Sequence, residues 1–475
     1  MISHFKLTRR GFLGTVAATA VSTPAPADGR PWNLLLITND QHRSDCLGVM
    51  GNPVIRTTVM DRVAQEGVLF QNHYVQCPQC VPSRSAMHTG RYPHVNRTPS
   101  NLYRLPDTEE TLASILGRHG YTTAAVGDEP FAPTSAMGGF QKLYSSDPDY
   151  EAHLSREGWG KQAAEHRERL KTRFQAHPVP WPEELDETAY FAGRAIDFLK
   201  EHNDKPFFLH VNFRRPHHPF DPPAPFDQLY AGARFPASHR RDGEMANKPP
   251  SHQKSLESTA GFDLRAMTAE DLEIIKTYYY GMISLNDKYI GRILDSLSRL
   301  GKAGNTIVVI TADHGEMLGD HGLLYKGGYF YEEVVRAPLM IRAPGKLPAG
   351  RRIAGMTEAI DIMPTVLELL GIKPSIRVQG KSLRPLVEGK GSGREEVHSE
   401  FPTTKMIRTA DWKLVHYVRA PYGELYDLRQ DPHELYNLYS DPGYARVKAE
   451  MKSRLADWLV ESEDPALPPV RAQRA

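Results

Sequence analysis

Apolar residues along this chain come in short runs that stop on polar side chains. "WNLLLITNDQ" ends at Asp40-Gln41, "YTTAAVGDEP" at Asp128, "KPFFLHVNFRRPHHP" near His217 and "NTIVVITADHG" at Asp313-His314. Such runs, bounded by turn residues, predict strands buried on both faces, as in a parallel sheet. Between them the apolar positions take a helical spacing in "TTVMDRVAQEGVLF", "TLASILGRHG", "ETAYFAGRAIDFLKEH" and "NDKYIGRILDSLSRLGKAG". Strand and helix in alternation predict an α/β fold, a large doubly wound mixed sheet flanked by helices. Ligands of such sheets bind beyond the carboxyl ends of the strands. Asp40, Gln41, His217, Asp313 and His314 are therefore expected to gather there.

Two stretches read as insertions. Residues 151–174 form a charged helix suited to a solvated face, and 221–265, rich in Pro, His and Ser, form a long loop suited to shaping a substrate pocket. From about residue 376 the pattern changes. "MIRTADWKLVHYV" and "GELYDLRQDP" predict a hairpin, and "ARVKAEMKSRLADWLVES" predicts an amphipathic closing helix. The expected organisation is a leader over 1–27, a main α/β domain over 28–375, and a smaller C-terminal subdomain of antiparallel sheet plus helix over 376–475.

Composition alters this picture at the N-terminus. Thr8-Arg9-Arg10-Gly11-Phe12-Leu13 is a twin-arginine pattern, followed by the mildly apolar "GTVAATAVS" and the small residues Ala25-Pro26-Ala27. A bacterial protein handed folded to the Tat translocase is expected, periplasmic or secreted. The apolar stretch is too short to span a bilayer, so no membrane anchor is expected. Lysine plus arginine (58) nearly balances aspartate plus glutamate (57), which argues against nucleic acid as a partner. Three cysteines, Cys46, Cys77 and Cys80, cannot build a disulfide framework.

The candidate chemistry begins with oxygen donors. Asp40, Gln41 and Asp313, with the nitrogen of His314, suit a divalent cation. The stretch "CPQCVPSRSAMHTGR" (77–91) has two readings. Cys77-Pro78-Gln79-Cys80 is a C-x-x-C redox or metal pair, whereas Cys80-Val81-Pro82-Ser83-Arg84 is a single cysteine set up for modification.

Cys80-Val81-Pro82-Ser83-Arg84, followed by Thr89-Gly90-Arg91, resembles the signature of the formylglycine-dependent sulfatases of the alkaline phosphatase superfamily. "LLITNDQHRSDCLG", "PHHP", "TADHGEMLGDHGLLYK" and "ELYDLRQDPHELYNL" fall in the order of that family. The resemblance covers nearly the whole chain beyond the leader and favours Cys80 alone over the pair. It implies a sulfuric ester hydrolase acting on a small-molecule or glycan sulfate ester. Cys80 would be converted by a formylglycine-generating enzyme. The divalent ion, calcium first, then magnesium, manganese or zinc, would be held by Asp40, Gln41, Asp313 and His314. Arg84 would stabilise the aldehyde hydrate, Lys326 would hold a sulfate oxygen, and His217 would contact sulfate and protonate the leaving group. Asn101 matches a site asparagine of some branches. Cys77, His218 and His321 become neighbours, and His88 and His94 have no assigned role.

One segment departs from the family. Where many sulfatases read Gly-Lys-x-His, this chain reads Gly127-Asp128-Glu129-Pro130. Each lost donor to a developing oxyanion typically costs ~3 kcal/mol, so two uncompensated losses would slow the reaction about 10⁴-fold. Either a loop residue such as Arg97 or Arg104 supplies the missing charge, or the substrate is a phosphonate or phosphodiester, or the protein is an inactive sulfatase-like binder. Asp128 then faces a cationic part of the substrate or pairs with a nearby arginine.

Overall fold

The computed structural model of the chain describes residues 31–128, 131, 137–145, 149–202, 204–374 and 378–463. The leader, Glu129-Pro130 and the tail after Glu463 lie outside the described residues. The large sheet contains β1 (Asn33–Asn39), β2 (Val68–Tyr74), β3 (Thr122–Gly127), β4 (Lys142–Ser145), β5 (Phe207–Phe213), β6 (Thr306–Ala312), β7 (Arg336–Arg342) and β8 (Arg351–Glu358). Their order is β4-β3-β5-β1-β6-β7-β2-β8. Pairings are parallel from β4 through to β6, and β7 alone runs against its neighbours. The sheet is therefore mixed, as the sequence predicts.

All seven residues of β1 are buried. Leu35 and Ile37 enter the core on one face, with helices Glu187–Glu201 and Ala269–Arg299. Leu34 and Leu36 enter the core on the other, with Leu112–Arg118 and Ile362–Leu370. Each such side chain is worth roughly 1.5–3 kcal/mol when removed from water. Both faces being covered leaves the strand ends as the place for polar chemistry.

Several elements differ from the sequence reading. The pattern 57–70 is not one helix: the helix stops at Glu66 and β2 starts at Val68. Gly67 makes the break, because a Cβ there would stand 2.3 Å from the Ile341 carbonyl oxygen. The helix expected from Asn286 begins at Ala269, closed by a capping box between Thr268 and Asp271. The 151–174 stretch is two helices, Asp149–Arg156 and Gly160–Arg169. The 221–265 stretch carries a helix of its own, Pro250–Glu257.

A second, antiparallel sheet contains β9 (Glu396–Phe401), β10 (Thr404–Thr409), β11 (Trp412–Tyr417) and β12 (Gly423–Asp427), in the order β12-β11-β10-β9. The helix Ala445–Glu461 packs on it through Met451, Leu455 and Trp458. Among the described residues no helix is long and apolar enough to cross a membrane.

Candidate active site

Strands β3, β5, β1 and β6 are consecutive and parallel, so their carboxyl ends open on one edge. Asp128 follows β3, His217 follows β5, Asp40 and Gln41 follow β1, and Asp313 and His314 follow β6. The fifth contributor is the helix Cys80–Thr89, whose first residue points into this edge.

Cys80 is buried there. Its Sγ lies 3.3 Å from His314 Nε2 and 3.7 Å from Asp40 Oδ1, and Lys326 Nζ donates to it at 3.1 Å. Burial works to raise the thiol, but Lys326 and His314 bring it down to about 6. Cys46 and Cys77 are buried and free, like Cys80. Burial, with Glu400 nearby, pushes the Cys77 thiol well up, which suits an inert neighbour rather than a redox partner.

One ligand atom each from Asp40, Cys80, Asp313 and His314 falls within 4.8 Å of the others, and all four residues are buried. Burial and the Asp313 charge raise Asp40 to about 7, the signature of negative charge crowded without enough counter-charge. His314 turns its Nδ1 to the Gly315 carbonyl at 2.9 Å, which leaves Nε2 free to ligate. Gln41 has φ 67 and donates its amide N–H to Asp313 Oδ1 at 3.1 Å. Its Oε1 accepts from Lys326 at 2.9 Å. Two carboxylates, an imidazole nitrogen and an amide oxygen fit a divalent cation.

Arg84 sits one helical turn after Cys80 and donates Nε–H to its carbonyl at 3.2 Å. The guanidinium faces three carboxylates: Asp128 at 2.8 Å, Asp313 at 3.2 Å and Asp40 at 3.5 Å. Asp128 is thus paired with an arginine, with a quarter of its side chain exposed, and Arg214 stands 3.7 Å from its other oxygen. Burial opposes the charge on Asp128, but Arg84 and Arg214 hold its carboxyl below the usual range. Arg97 and Arg104 are solvent-exposed. Arg214, rather than either of them, is the cation beside the departing segment.

His217 stacks on His218 with ring centroids 4.0 Å apart. Burial and then Lys326 lower it to about 4. It also lines a cavity of about 170 Å³ with Tyr150, Trp181, Glu187 and Arg214. Asn101 is exposed; its Oδ1 accepts the Val81 N–H at 3.0 Å and its own N–H meets Gln79 Oε1 at 3.1 Å, which caps the helix Cys80–Thr89 from outside. His321 pairs with Glu244 at 3.0 Å, and His94 with Glu400 at 2.8 Å. His88 is buried against Phe131 and His210.

Two supporting residues escape the sequence reading. Glu316, three residues after Asp313, accepts from Gln41 Nε2 and from the amides of Leu318 and Tyr325, and so fixes the Gln41 side chain. Ser83 donates to the Asp313 carbonyl at 2.5 Å and ties the helix Cys80–Thr89 to the end of β6. The spacing in "DHGE" was the only available trace of Glu316.

Comparison with known proteins adds a second line of observation. Residues 32–372 match the family model described as Sulfatase, and residues 319–461 match that of N-sulphoglucosamine sulphohydrolase, C-terminal. The chain is 32% identical to the multifunctional alkaline phosphatase superfamily protein PehA of Trinickia caryophylli, across 92% of this chain and 96% of that protein. It is 32% identical to an arylsulfatase of Clostridium perfringens, across 87% and 91%. The phosphonate monoester hydrolase of Agrobacterium radiobacter superposes with a TM-score of 0.82 at 30% identity, across 92% and 97%.

Proposed function

The chain belongs to the sulfatase family, and from that footing we propose a sulfuric ester hydrolase with a formylglycine nucleophile made from Cys80 and a divalent cation, calcium first. The observation that carries this reading is the convergence of Asp40, Cys80, Asp313 and His314 within 4.8 Å. When bound, a divalent cation supplies a Lewis acid that draws charge from sulfate oxygens and eases loss of a hydroxyl proton nearby.

The residues of the chain divide the remaining work. Converted Cys80, as its hydrate, offers one hydroxyl to attack sulfur while the ester oxygen leaves as an alcohol. The second hydroxyl then expels sulfate, the aldehyde returns, and water rehydrates it. Arg84, fixed by its three carboxylates, holds the first turn of the helix and so the aim of the nucleophile. Lys326, 3.1 Å from Cys80 Sγ, would hold a sulfate oxygen. Burial and Lys326 favour the neutral form of His217; a sulfate anion beside it would raise its affinity for a proton, so it becomes an acid with substrate present. The cavity beside it, about 170 Å³, favours a small leaving group. Export by the Tat route and a catalytic domain ending near residue 375 belong to the same proposal.

A second reading is a phosphonate monoester or phosphodiester hydrolase with the same nucleophile. It is favoured by the likeness to a phosphonate monoester hydrolase and by Asp128 in place of the family lysine. Mass spectrometry of the peptide around Cys80, from protein co-produced with a formylglycine-generating enzyme, should show the aldehyde. Steady-state rates on an aryl sulfate, a phosphate diester and a phosphonate ester then rank the substrates. A larger kcat/KM on either phosphorus ester replaces the first reading by the second. Cys80→Ala should abolish turnover; unchanged turnover defeats both readings.

A further inference from the structure

Away from the cleft, His239, Glu333 and His433 bring one ligand atom each to within 4.8 Å of one another. They come from distant parts of the chain. His239 lies in the stretch between β5 and the helix Pro250–Glu257, Glu333 in the helix Glu332–Val335 ahead of β7, and His433 in the loop after β12. They line a cavity of about 290 Å³ with Arg43, Asp45 and Arg336. The two imidazoles lie face to face, centroids 3.4 Å apart and planes within 9°. Glu333 Oε2 is buried without a hydrogen-bond partner among the described residues. Asp320 Oδ1 stands 3.4 Å from His239 Nδ1 and adds negative charge beside the cluster. The three arginines that line the cavity are engaged elsewhere: Arg43 by Asp320 and Asp45, Arg336 by the Gln71 carbonyl, and Arg408 by Glu332 and the Thr409 carbonyl.

We propose that His239, Glu333 and His433 form a second divalent-metal site, separate from the Asp40/Asp313 cluster and selective for zinc-class ions. Two imidazole nitrogens with one carboxylate oxygen make the donor set of zinc; calcium requires more oxygens. A cation there would give the orphaned Glu333 oxygen the partner it lacks among the described residues. Taking up one ion would tilt the two partly buried rings out of their stack, so that a nitrogen of each faces the metal. The ion would pin the segment after β5 and the loop after β12 to the edge of the large sheet. None of this depends on the chemistry at Cys80.

The test uses the full chain, stripped of metal with a chelator and re-exposed to Zn²⁺ alone. In an Asp313→Asn background, which disables the cleft cluster, elemental analysis after gel filtration should find one equivalent of zinc. Adding His433→Gln, at a partly exposed loop position, should remove it or weaken binding at least tenfold. The zinc-dependent rise in melting temperature should vanish with it. Should Asp313→Asn fail to fold, the unsubstituted chain against His433→Gln decides, with one equivalent fewer expected in the variant. The proposal is overturned if the Asp313→Asn chain takes up no zinc. It is equally overturned if a His239→Gln/His433→Gln double variant holds as much zinc, as tightly, as its parent.

Discussion

Arg84 serves three carboxylates with one guanidinium, so any change of charge beside it is felt at Cys80. Asp128, its nearest partner at 2.8 Å, is flanked on the other side by Arg214. Restoring the lysine of the family at this position would therefore place a third cation between two arginines. Asp128→Lys is expected to lose a charge-assisted hydrogen bond worth ~1.5–3 kcal/mol and to gain repulsion. Urea unfolding should show stability lower by about 2 kcal/mol or more, and kcat/KM should fall rather than rise. A more active, equally stable Asp128→Lys enzyme would show that Asp128 is a plain loss and not half of a replacement device. At this scale the sequence was informative where a residue ends an apolar run, as with Asp40, Asp313 and His314. It was silent on Glu316 and Arg214, because their work is defined by the side chains they hold: Gln41 for one, Asp128 for the other. No spacing rule connects residues that are 275 positions apart, as Gln41 and Glu316 are.

Elements aim these residues, and the turn after β3 is the tightest of the aiming devices. Gly127 has φ +104, and a Cβ there would stand 2.1 Å from the Asn212 carbonyl oxygen of β5. Asn212 also donates through Nδ2 to the Asp128 carbonyl at 2.9 Å, so the two strand ends are locked together. Gly127→Ala combines a left-handed backbone with a clash against a neighbouring strand. It should cost at least ~2 kcal/mol of stability and shift Asp128 off Arg84. Thermal unfolding with parallel kinetics checks this; a melting temperature equal to the parent's would refute the role given to Gly127. The strands that bound the cleft were legible because each is buried on both faces and reads as a short, mostly apolar run. β2 was not, since its apolar start continues the spacing of the preceding helix and only the close approach of Gly67 to Ile341 separates them. The middle of the helix Ala269–Arg299 was hidden for the opposite reason. Residues 279–285 are all buried there, and a helix buried all round has no apolar stripe to read.

The whole molecule depends on how the small sheet docks on the large one, and beside the apolar cluster of Tyr74, Val335, Met406 and Val415 a buried lysine helps to join them. Lys413 of β11 is fully buried, 2.8 Å from Glu332 ahead of β7 and 2.7 Å from Glu434 after β12. Burial opposes charge on both carboxylates, but they settle on opposite sides of the ordinary value. Lys413 and Arg408 draw Glu332 down to about 2, whereas burial, with Glu332 adjacent, leaves Glu434 up at about 7. The depressed carboxylate adds stability that is complete above its unfolded pKa, near 4.5, and is lost as pH falls towards 2; a shift of this size is worth ~3 kcal/mol. The raised carboxylate works in reverse. The folded state holds its proton longer than the unfolded chain, so stability declines as pH rises from about 4.5 to about 7. The contribution of the three groups should therefore peak near pH 4.5 and fall away on both sides. Urea unfolding between pH 2 and 8 tests this through two variants. Glu332→Gln should flatten the acidic limb, and Glu434→Gln the limb between 4.5 and 7. If both variants keep the parent's profile, the junction is not held by charge. If they exchange limbs, the proton resides on the other glutamate of the pair. Lys413→Met removes the shared cation and leaves two buried acids facing each other. It should be the most damaging of the three, by ~3–5 kcal/mol at neutral pH, with the small sheet the first part to become sensitive to protease.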